Sequence, residues 1–236
     1  MPREKEPDKI AAMFTDIAER YDRANHLLSF NQDKDWRKSL VKMARPQSGE
    51  KLLDVATGTA DIAIEFAQTN KQLTVTALDL SEGMLSIASE KLRRLNLEKQ
   101  IDLVQGNALE LPFSNDFFDL VTIGFGLRNL PDIDKGIAEL SRVLKPQGRL
   151  LIMEFSIPQS RLWKQIYLFY LRYILPPYGG LLTGSRESYE YLHNSIHSFP
   201  SRETILRKLQ AHRLERLELY ELSGGLATIF LGFKQG

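Results

Sequence analysis

The chain has 236 residues, 43% of them hydrophobic and 26% charged, and its 31 lysines and arginines nearly balance 30 acidic residues for a net charge of +1. This composition is typical of a soluble globular protein with a substantial core, and the balanced charge predicts no nucleic-acid partner. Cysteine is absent, which excludes disulfides, a cysteine nucleophile and thiolate metal sites. The N-terminal residues have no apolar core and no run approaches the ~18 apolar residues of a membrane-spanning helix, so we expect a cytoplasmic protein.

The segment before the first predicted strand, residues 1–48, is expected to form a helical cover over the mouth of a site. Its apolar residues recur on one helical stripe, which comprises Ile10, Met13, Phe14, Ile17 and Tyr21. Because this segment precedes the sheet in the chain, it can fold over the edge where ligands bind. The alternative is an amphipathic helix pair packed on the sheet edge, and the spacing alone favours that alternative.

The stretch from Lys51 to Asp61 predicts a strand, a glycine turn and a helix. An apolar run is typical of a buried parallel strand, Gly58 lies in a tight turn, and Asp61 can cap the helix that follows. A second apolar strand ends in Asp79, which lies 21 residues after Gly58. A turn that lets a ligand approach the backbone, followed by a carboxylate that accepts hydrogen bonds from ribose hydroxyls, is the geometry of a nucleoside site.

The glycine-rich fingerprint of dinucleotide sites is absent, since Ala60 stands where a second glycine would lie. A bound pyrophosphate requires several free backbone N–H groups at a helix N-terminus. S-adenosylmethionine has ribose hydroxyls for an acid and a zwitterionic tail, but it has no phosphate. The pattern therefore favours S-adenosylmethionine over NAD. The alternative is that Asp79 only caps the following helix through Ser81 and Glu82.

Polar residues also follow two later strands, at the carboxyl edge where ligands of open α/β sheets bind. Asn107-Ala108 follows the third predicted strand, and an amide there can pair with a donor and an acceptor of adenine, although a turn-forming asparagine is the alternative. Arg128 and Asn129 follow the fourth strand, where a substrate would meet the cofactor. Arg128 could hold a developing oxyanion, or it could form a salt bridge with Asp132 or Asp134.

Five strands alternate with helices over residues 50–156, which predicts a doubly wound α/β fold with a parallel sheet. Residues 213–222 and 226–233 are predicted as an antiparallel pair. Between these regions, residues 160–200 are expected to form an apolar, aromatic helix and a mobile link over residues 176–184. This insertion suits a membrane interface or a lipid-binding wall, and a core helix is the alternative. His193 and His197 lack carboxylate or cysteine neighbours, so no metal site is predicted.

These residues resemble the ubiquinone/menaquinone biosynthesis C-methyltransferases nearly end to end. The more specific segment is Phe125-Gly-Leu-Arg-Asn129, with Tyr21-Asp22 upstream and Ser195-Ile196 and Phe199-Pro200 downstream. The other matching segments are Asn25, Leu28-Ser29, Trp36-Arg37, Leu53 to Asp61, Asn107-Ala108, Leu111 to Phe113, Arg142 to Pro146, Glu154 to Ser156, Pro158, Tyr189, Tyr191-Leu192 and Gly224-Gly225. The resemblance implies a single methyltransferase domain with a seven-strand Rossmann-like sheet, mostly parallel with a C-terminal antiparallel strand, N-terminal helices and a helical insertion after the fifth strand.

The resemblance implies cofactor contacts at Thr59, Asp79 and the Asn107-Ala108 pair. It implies another contact at Gly124, where some members have serine. A second departure is Asn31, which stands where many members have glycine. Substrate-activating residues are implied at two positions, Arg128 and Asn129.

The resulting hypothesis is methyl transfer from S-adenosylmethionine to a ring carbon of a polyprenylated quinol, with demethylmenaquinol as the first choice. Arg128 would stabilise the phenolate, a water relayed through Asn129 or Tyr21 would take the proton, and residues 162–182 would hold the tail. The alternatives are a benzoquinol, another small apolar acceptor, or a non-catalytic S-adenosylmethionine-binding subunit of a quinone-synthesis complex. An NAD-dependent oxidoreductase would need the glycines that are missing. The sequence is also compatible with peripheral contact with the inner face of a membrane and with a homodimer.

Overall fold

A seven-stranded mixed sheet forms the centre of the structure. The computed structural model describes residues 10, 12–16, 18, 22, 26, 29 and 31–236, apart from the side chains of residues 182, 183 and 186. In chain order the strands are β1 (Lys51–Val55), β2 (Thr74–Asp79), β3 (Ile101–Gln105), β4 (Phe118–Gly124), β5 (Leu144–Phe155), β6 (Leu214–Leu222) and β7 (Ala227–Lys234). They lie side by side in the order β3-β2-β1-β4-β5-β7-β6. Neighbours among β1 to β5 pair in parallel, whereas β7 pairs antiparallel with β5 and β6, so the predicted sheet is confirmed.

Helices cover both faces of this sheet, which explains why its central strands are apolar on both sides. Over residues 31–236 the α-helices are α1 (Gln32–Ala44), α2 (Asp61–Thr69), α3 (Glu82–Leu95), α4 (Ile133–Val143), α5 (Arg161–Phe169), α6 (Leu175–Thr183), α7 (Arg186–Ser198) and α8 (Arg202–Ala211), and a π-helical segment (Tyr170–Ile174) joins α5 to α6. The first three pack on one face around Phe66, and α4 and α8 pack on the other around Leu140. Asn31 precedes α1 with a φ of 60°. Asparagine tolerates this left-handed conformation, so it can stand where the resemblance implies a glycine.

The strand order places β1 beside β4. The chain passes from β1 outward to β2 and β3 on one side, and then crosses to β4 on the other side of β1. Such a reversal opens a crevice beyond the carboxyl ends of the two strands. The turns that follow them approach closely, because a Cβ at Gly126 would lie 2.6 Å from the Cβ of Ala56. Glycine is therefore required at position 126, and the fold brings the two turns together at one site.

The region after β5 differs from the prediction. The expected mobile link over residues 176–184 is wrong, since α6 spans most of it. Pro176 and Pro177 fall in the first turn of α6, where proline's fixed φ suits a helix. Together, α5, α6 and α7 form a separate small core around Tyr167, Leu171 and Tyr189. Over the described residues, no helix is long and apolar enough to cross a membrane.

Candidate active site

A cavity of about 650 Å³ lies beyond the carboxyl ends of the parallel strands. Its floor is formed by the turns after β1 to β4 and by Phe155 at the end of β5. Ile10, Met13 and Phe14 of the N-terminal segment line it, and so do residues of α5 and α7. The volume falls within the ~300–1,000 Å³ typical of small-molecule sites. The predicted cover and insertion therefore both border the same site.

Gly58 and Asp79 meet at the floor, as the sequence predicts. Gly58 has a φ of +58° and open space where a side chain would project, so the backbone of the turn is accessible to a ligand. One oxygen of Asp79 accepts a hydrogen bond from the Gly58 N–H at 2.7 Å, and the other accepts one from the Ser81 N–H at 2.9 Å. Burial raises the pKa of Asp79. The carboxylate therefore supports both the glycine turn and the start of α3.

Asp54, which has no predicted role beyond its place in β1, lies buried beneath the same turn. Its two carboxylate oxygens accept hydrogen bonds from the hydroxyls of Thr57 at 2.6 Å and Thr122 at 2.7 Å. Burial raises the pKa of Asp54 to about 6, and the nearby charge of Asp79 acts in the same direction. Asp54 ties the turn after β1 to the neighbouring strand β4.

An ionic network joins the N-terminal segment to α2 and α3. The Lys91 ammonium lies 2.5 Å from a carboxylate oxygen of Asp22 and 2.6 Å from one of Asp61, and it donates to the Thr59 hydroxyl at 2.8 Å. That hydroxyl in turn donates to Asp22 at 2.6 Å. The predicted capping role of Asp61 is wrong, because Ala60 occupies the cap position and the carboxylate pairs with Lys91 and Arg37 instead. A cofactor contact at Thr59 would therefore use its backbone or displace this network.

The other predicted cofactor residues also line the cavity. The Asn107 side-chain oxygen accepts a hydrogen bond from the Leu109 N–H at 2.9 Å, so this oxygen stabilises the turn, as the alternative interpretation predicts. Ala108 beside it is buried. Gly124 lies against α2, since a Cβ there would come within 2.2 Å of the Ile62 Cδ1. A serine at this position would require Ile62 to move.

Arg128 lies on a short 3-10 turn (Leu127–Asn129) after β4 and is only 3% exposed. Its guanidinium lies 3.0 Å from a carboxylate oxygen of Glu154, and its backbone N–H donates to the other oxygen at 3.0 Å. The alternative of a salt bridge is therefore confirmed for Arg128, but the suggested partners Asp132 and Asp134 are wrong. Asp132 caps α4, and Asp134 pairs with Lys208. Glu154 becomes the partner because β4 and β5 are neighbours, so their carboxyl ends meet.

Asn129 and the carbonyl of Phe125 complete this region. The Arg128 guanidinium and the Asn129 amide both donate to the Phe125 carbonyl, the latter at 3.3 Å. The Asn129 oxygen accepts a hydrogen bond from the hydroxyl of Tyr191 at 3.1 Å. Tyr191 lies on α7 and lines the cavity, a position that its sequence spacing does not predict. Tyr21, the third predicted catalytic residue, lies outside the described residues.

The insertion presents apolar side chains both to the cavity and to the exterior. Trp163 and Ile166 line the cavity and are each nearly half exposed. Farther out, Leu162 is 69% exposed and Leu181 is 83% exposed. The other exposed large apolar side chains of this face are Phe169, Tyr173, Ile174 and Tyr178. Monomeric proteins seldom expose so many large apolar residues together without a partner surface.

The model of the ubiE/COQ5 methyltransferase family matches residues 3–234. The chain belongs to this family. It is 38% identical over 229 residues to a demethylmenaquinone methyltransferase of Staphylococcus haemolyticus, a match that covers 97% of this chain and 95% of that protein. It is 42% identical to a ubiquinone/menaquinone biosynthesis C-methyltransferase UbiE of Geobacter sulfurreducens, with 96% and 89% of the two chains covered.

The solved structures show the same fold at lower sequence similarity. A crystal structure of an S-adenosylmethionine-dependent methyltransferase from Aquifex aeolicus matches with a TM-score of 0.64 at 18% identity, and covers 97% of this chain and 98% of that one. The predicted family and Rossmann-like fold are thus confirmed. Membership of the ubiE/COQ5 methyltransferase family also confirms the prediction of an S-adenosylmethionine-dependent C-methyltransferase.

Proposed function

We propose that this chain methylates a ring carbon of a polyprenylated quinol, with demethylmenaquinol as the preferred substrate. The observation that carries the proposal is the position of Arg128 and Asn129. They line the same cavity as Gly58 and Asp79 and as the apolar side chains of the insertion. The names of the relatives support a quinol, and demethylmenaquinone methyltransferases recur among them. A benzoquinol is the second candidate, because a UbiE relative named for both quinones is 42% identical.

The floor of the cavity suits the cofactor without a phosphate site. Asp79 would accept hydrogen bonds from the ribose hydroxyls, and the open backbone at Gly58 and Thr59 would lie against the nucleoside. Asn107-Ala108 and the backbone at Gly124 would border the adenine side. Arg37 and Asp61, which both line the cavity, offer opposite charges to the zwitterionic tail. When bound, S-adenosylmethionine supplies an electrophilic methyl group.

The residues after β4 would activate the quinol ring. A quinol hydroxyl resembles that of tyrosine, with a pKa of about 10, and its ring carbon becomes strongly nucleophilic only after the hydroxyl loses its proton. Arg128 carries a fixed positive charge that favours the phenolate. Arginine is a poor proton acceptor because its pKa exceeds about 12, so a water held by Asn129 would receive the proton. The net reaction releases one proton as the ring hydrogen is replaced by methyl.

The insertion and the N-terminal segment would complete a single catalytic domain. Residues 160–200 would hold the polyprenyl tail, because Trp163, Ile166 and Leu171 line the cavity on that side. The exposed apolar surface of α5, α6 and the π-helical segment between them also carries Lys164 and Arg172, a combination that suits the interface of an anionic bilayer. We infer that the tail passes from the membrane into the cavity here, while residues 1–48 cover the cofactor.

The substrate assignment is tested with purified protein, labelled S-adenosylmethionine and short-tailed demethylmenaquinol or the corresponding benzoquinol. We expect label in the naphthoquinol product and a lower rate with the benzoquinol. The matched control is each quinone in its oxidised form, which has no ring hydroxyl to ionise and should accept no methyl group. Absence of label from both quinols, with intact cofactor binding by calorimetry, would leave a cofactor-binding protein and overturn the quinol assignment.

Membrane contact is tested by co-sedimentation with anionic lipid vesicles. Replacing Leu162 and Leu181 together with aspartate should weaken vesicle binding roughly 10- to 100-fold, since two exposed apolar anchors are lost and two negative charges are added. The matched control is Leu95→Asp, because Leu95 is 44% exposed on α3, away from the insertion. An equal effect of the control, or no effect of the double variant, would contradict a membrane role for this face.

A further inference from the structure

Tyr191 connects the insertion to the residues proposed to activate the quinol. It lies on α7, and its hydroxyl donates to the Asn129 side-chain oxygen at 3.1 Å across 62 residues of sequence. The ring is half-buried at the cavity wall. Burial raises the pKa of Tyr191, so the hydroxyl keeps its proton and acts as a donor at neutral pH. The position of the Asn129 side chain therefore depends, through this hydrogen bond, on the position of α7.

Asn129 shares a hydrogen-bond acceptor with Arg128. Its amide donates to the Phe125 carbonyl at 3.3 Å, and the Arg128 guanidinium donates to the same oxygen. The backbone of Phe125 is held by its own N–H, which donates to the Met153 carbonyl at 2.7 Å, and its φ is 55°. A shift of Asn129 would therefore change the geometry around Arg128 without any movement of the sheet.

The position of α7 depends on the small core of the insertion. A Cβ at Gly179 would lie 2.4 Å from the ring of Tyr189, so α6 and α7 are in direct contact at this position. That core also contains Leu171, which lines the cavity on the side assigned to the tail. A tail bound against this apolar wall would therefore shift α7 as a rigid element and would move Tyr191 with it.

We propose that Tyr191 is a positioning residue that couples binding of a long apolar tail to activation of the ring, and so selects tailed quinols over tail-less ones. The coupling runs from the apolar wall through α7 and Tyr191 to Asn129 and Arg128. This inference rests on the proposed quinol methylation. The selectivity for tailed quinols should then appear in turnover and not in affinity, because the hydroxyl of Tyr191 is not among the apolar contacts that bind the tail.

Tyr191→Phe removes the hydroxyl and keeps the ring. We expect the turnover of a tailed quinol to fall about 10-fold, the value of one hydrogen bond, while that of a tail-less quinol changes less than about twofold. Affinity for the tailed quinone, followed by the fluorescence of the two cavity tryptophans, and affinity for S-adenosylmethionine should both stay within about twofold. Tyr220→Phe is the matched control, since it removes an exposed hydroxyl that bonds only to Glu218 within the described residues.

A second variant tests whether the effect passes through Asn129. Tyr191→Phe should add little to the loss caused by Asn129→Ala, because both changes break the same connection. Equal losses for tailed and tail-less quinols, or fully additive losses, would overturn the coupling while leaving quinol methylation intact. Wild-type protein that fails to methylate either quinol would overturn the proposed function itself, and the inference with it.

Discussion

Replacing Arg128 with alanine should lower turnover at least 10²- to 10³-fold, while the dissociation constant for S-adenosylmethionine changes by less than about threefold. The expected loss is that of a preorganised donor that stabilises a developing oxyanion. Affinity should persist because most of the residues proposed to hold the cofactor lie at the ends of other strands, with Asp79 as the last residue of β2. Turnover is measured with a labelled methyl group, and cofactor affinity by calorimetry.

The buried ion pair with Glu154 makes a second variant necessary. Arg128→Ala alone leaves the Glu154 carboxylate, which is 1% exposed, without its cation, a loss that costs about 3–5 kcal/mol of stability. Arg128→Ala combined with Glu154→Gln removes both charges, so its melting temperature should lie closer to that of the wild type. Turnover should nevertheless stay as low as in the single variant. Recovery of turnover in the double variant, or an equal loss of cofactor affinity, would show that Arg128 is structural.

Asp79→Asn should weaken binding of S-adenosylmethionine about 100-fold and leave turnover at saturating cofactor within a few-fold of wild type. The carboxylate would lose two charge-assisted hydrogen bonds to ribose, each worth about 1.5–3 kcal/mol. The asparagine amide would also lose one hydrogen bond to the backbone, because its NH₂ group would face the N–H donor of either Gly58 or Ser81. Calorimetric titration of the cofactor gives the dissociation constant directly.

The matched control for Asp79 is Asp102→Asn on the adjacent strand β3. Asp102 is exposed, and β3 pairs in parallel with β2, so the substitution changes the same functional group without touching the cavity. It should leave cofactor affinity unchanged. If Asp79→Asn lowers the melting temperature but binds the cofactor normally, the role of Asp79 is confined to holding the glycine turn and the start of α3.

The principal features of the fold could be predicted from local sequence signals. Alternating apolar runs and amphipathic stretches reveal strands and helices, because side-chain periodicity follows backbone geometry. The placement of Gly58 and Asp79 together could be anticipated in the same way, since the carboxyl ends of successive parallel strands meet at one edge. The link over residues 176–184 was mispredicted because glycine and proline are typical of turns, whereas here packing on α7 and proline in the first helical turn stabilise a helix.

The sequence by itself determined the family, the sheet, the glycine turn and the acid that ends β2. Each of these features follows from a local motif or from the regular spacing of apolar side chains along a strand or helix. The tertiary structure alone decided the partners of the charged and polar side chains. Glu154 pairs with Arg128 across 26 residues, Lys91 reaches Asp61 across 30, and Tyr191 reaches Asn129 across 62. Such pairs depend on which strand ends are neighbours and how the insertion folds back, and several acidic residues in the sequence were equally suitable partners for each cation.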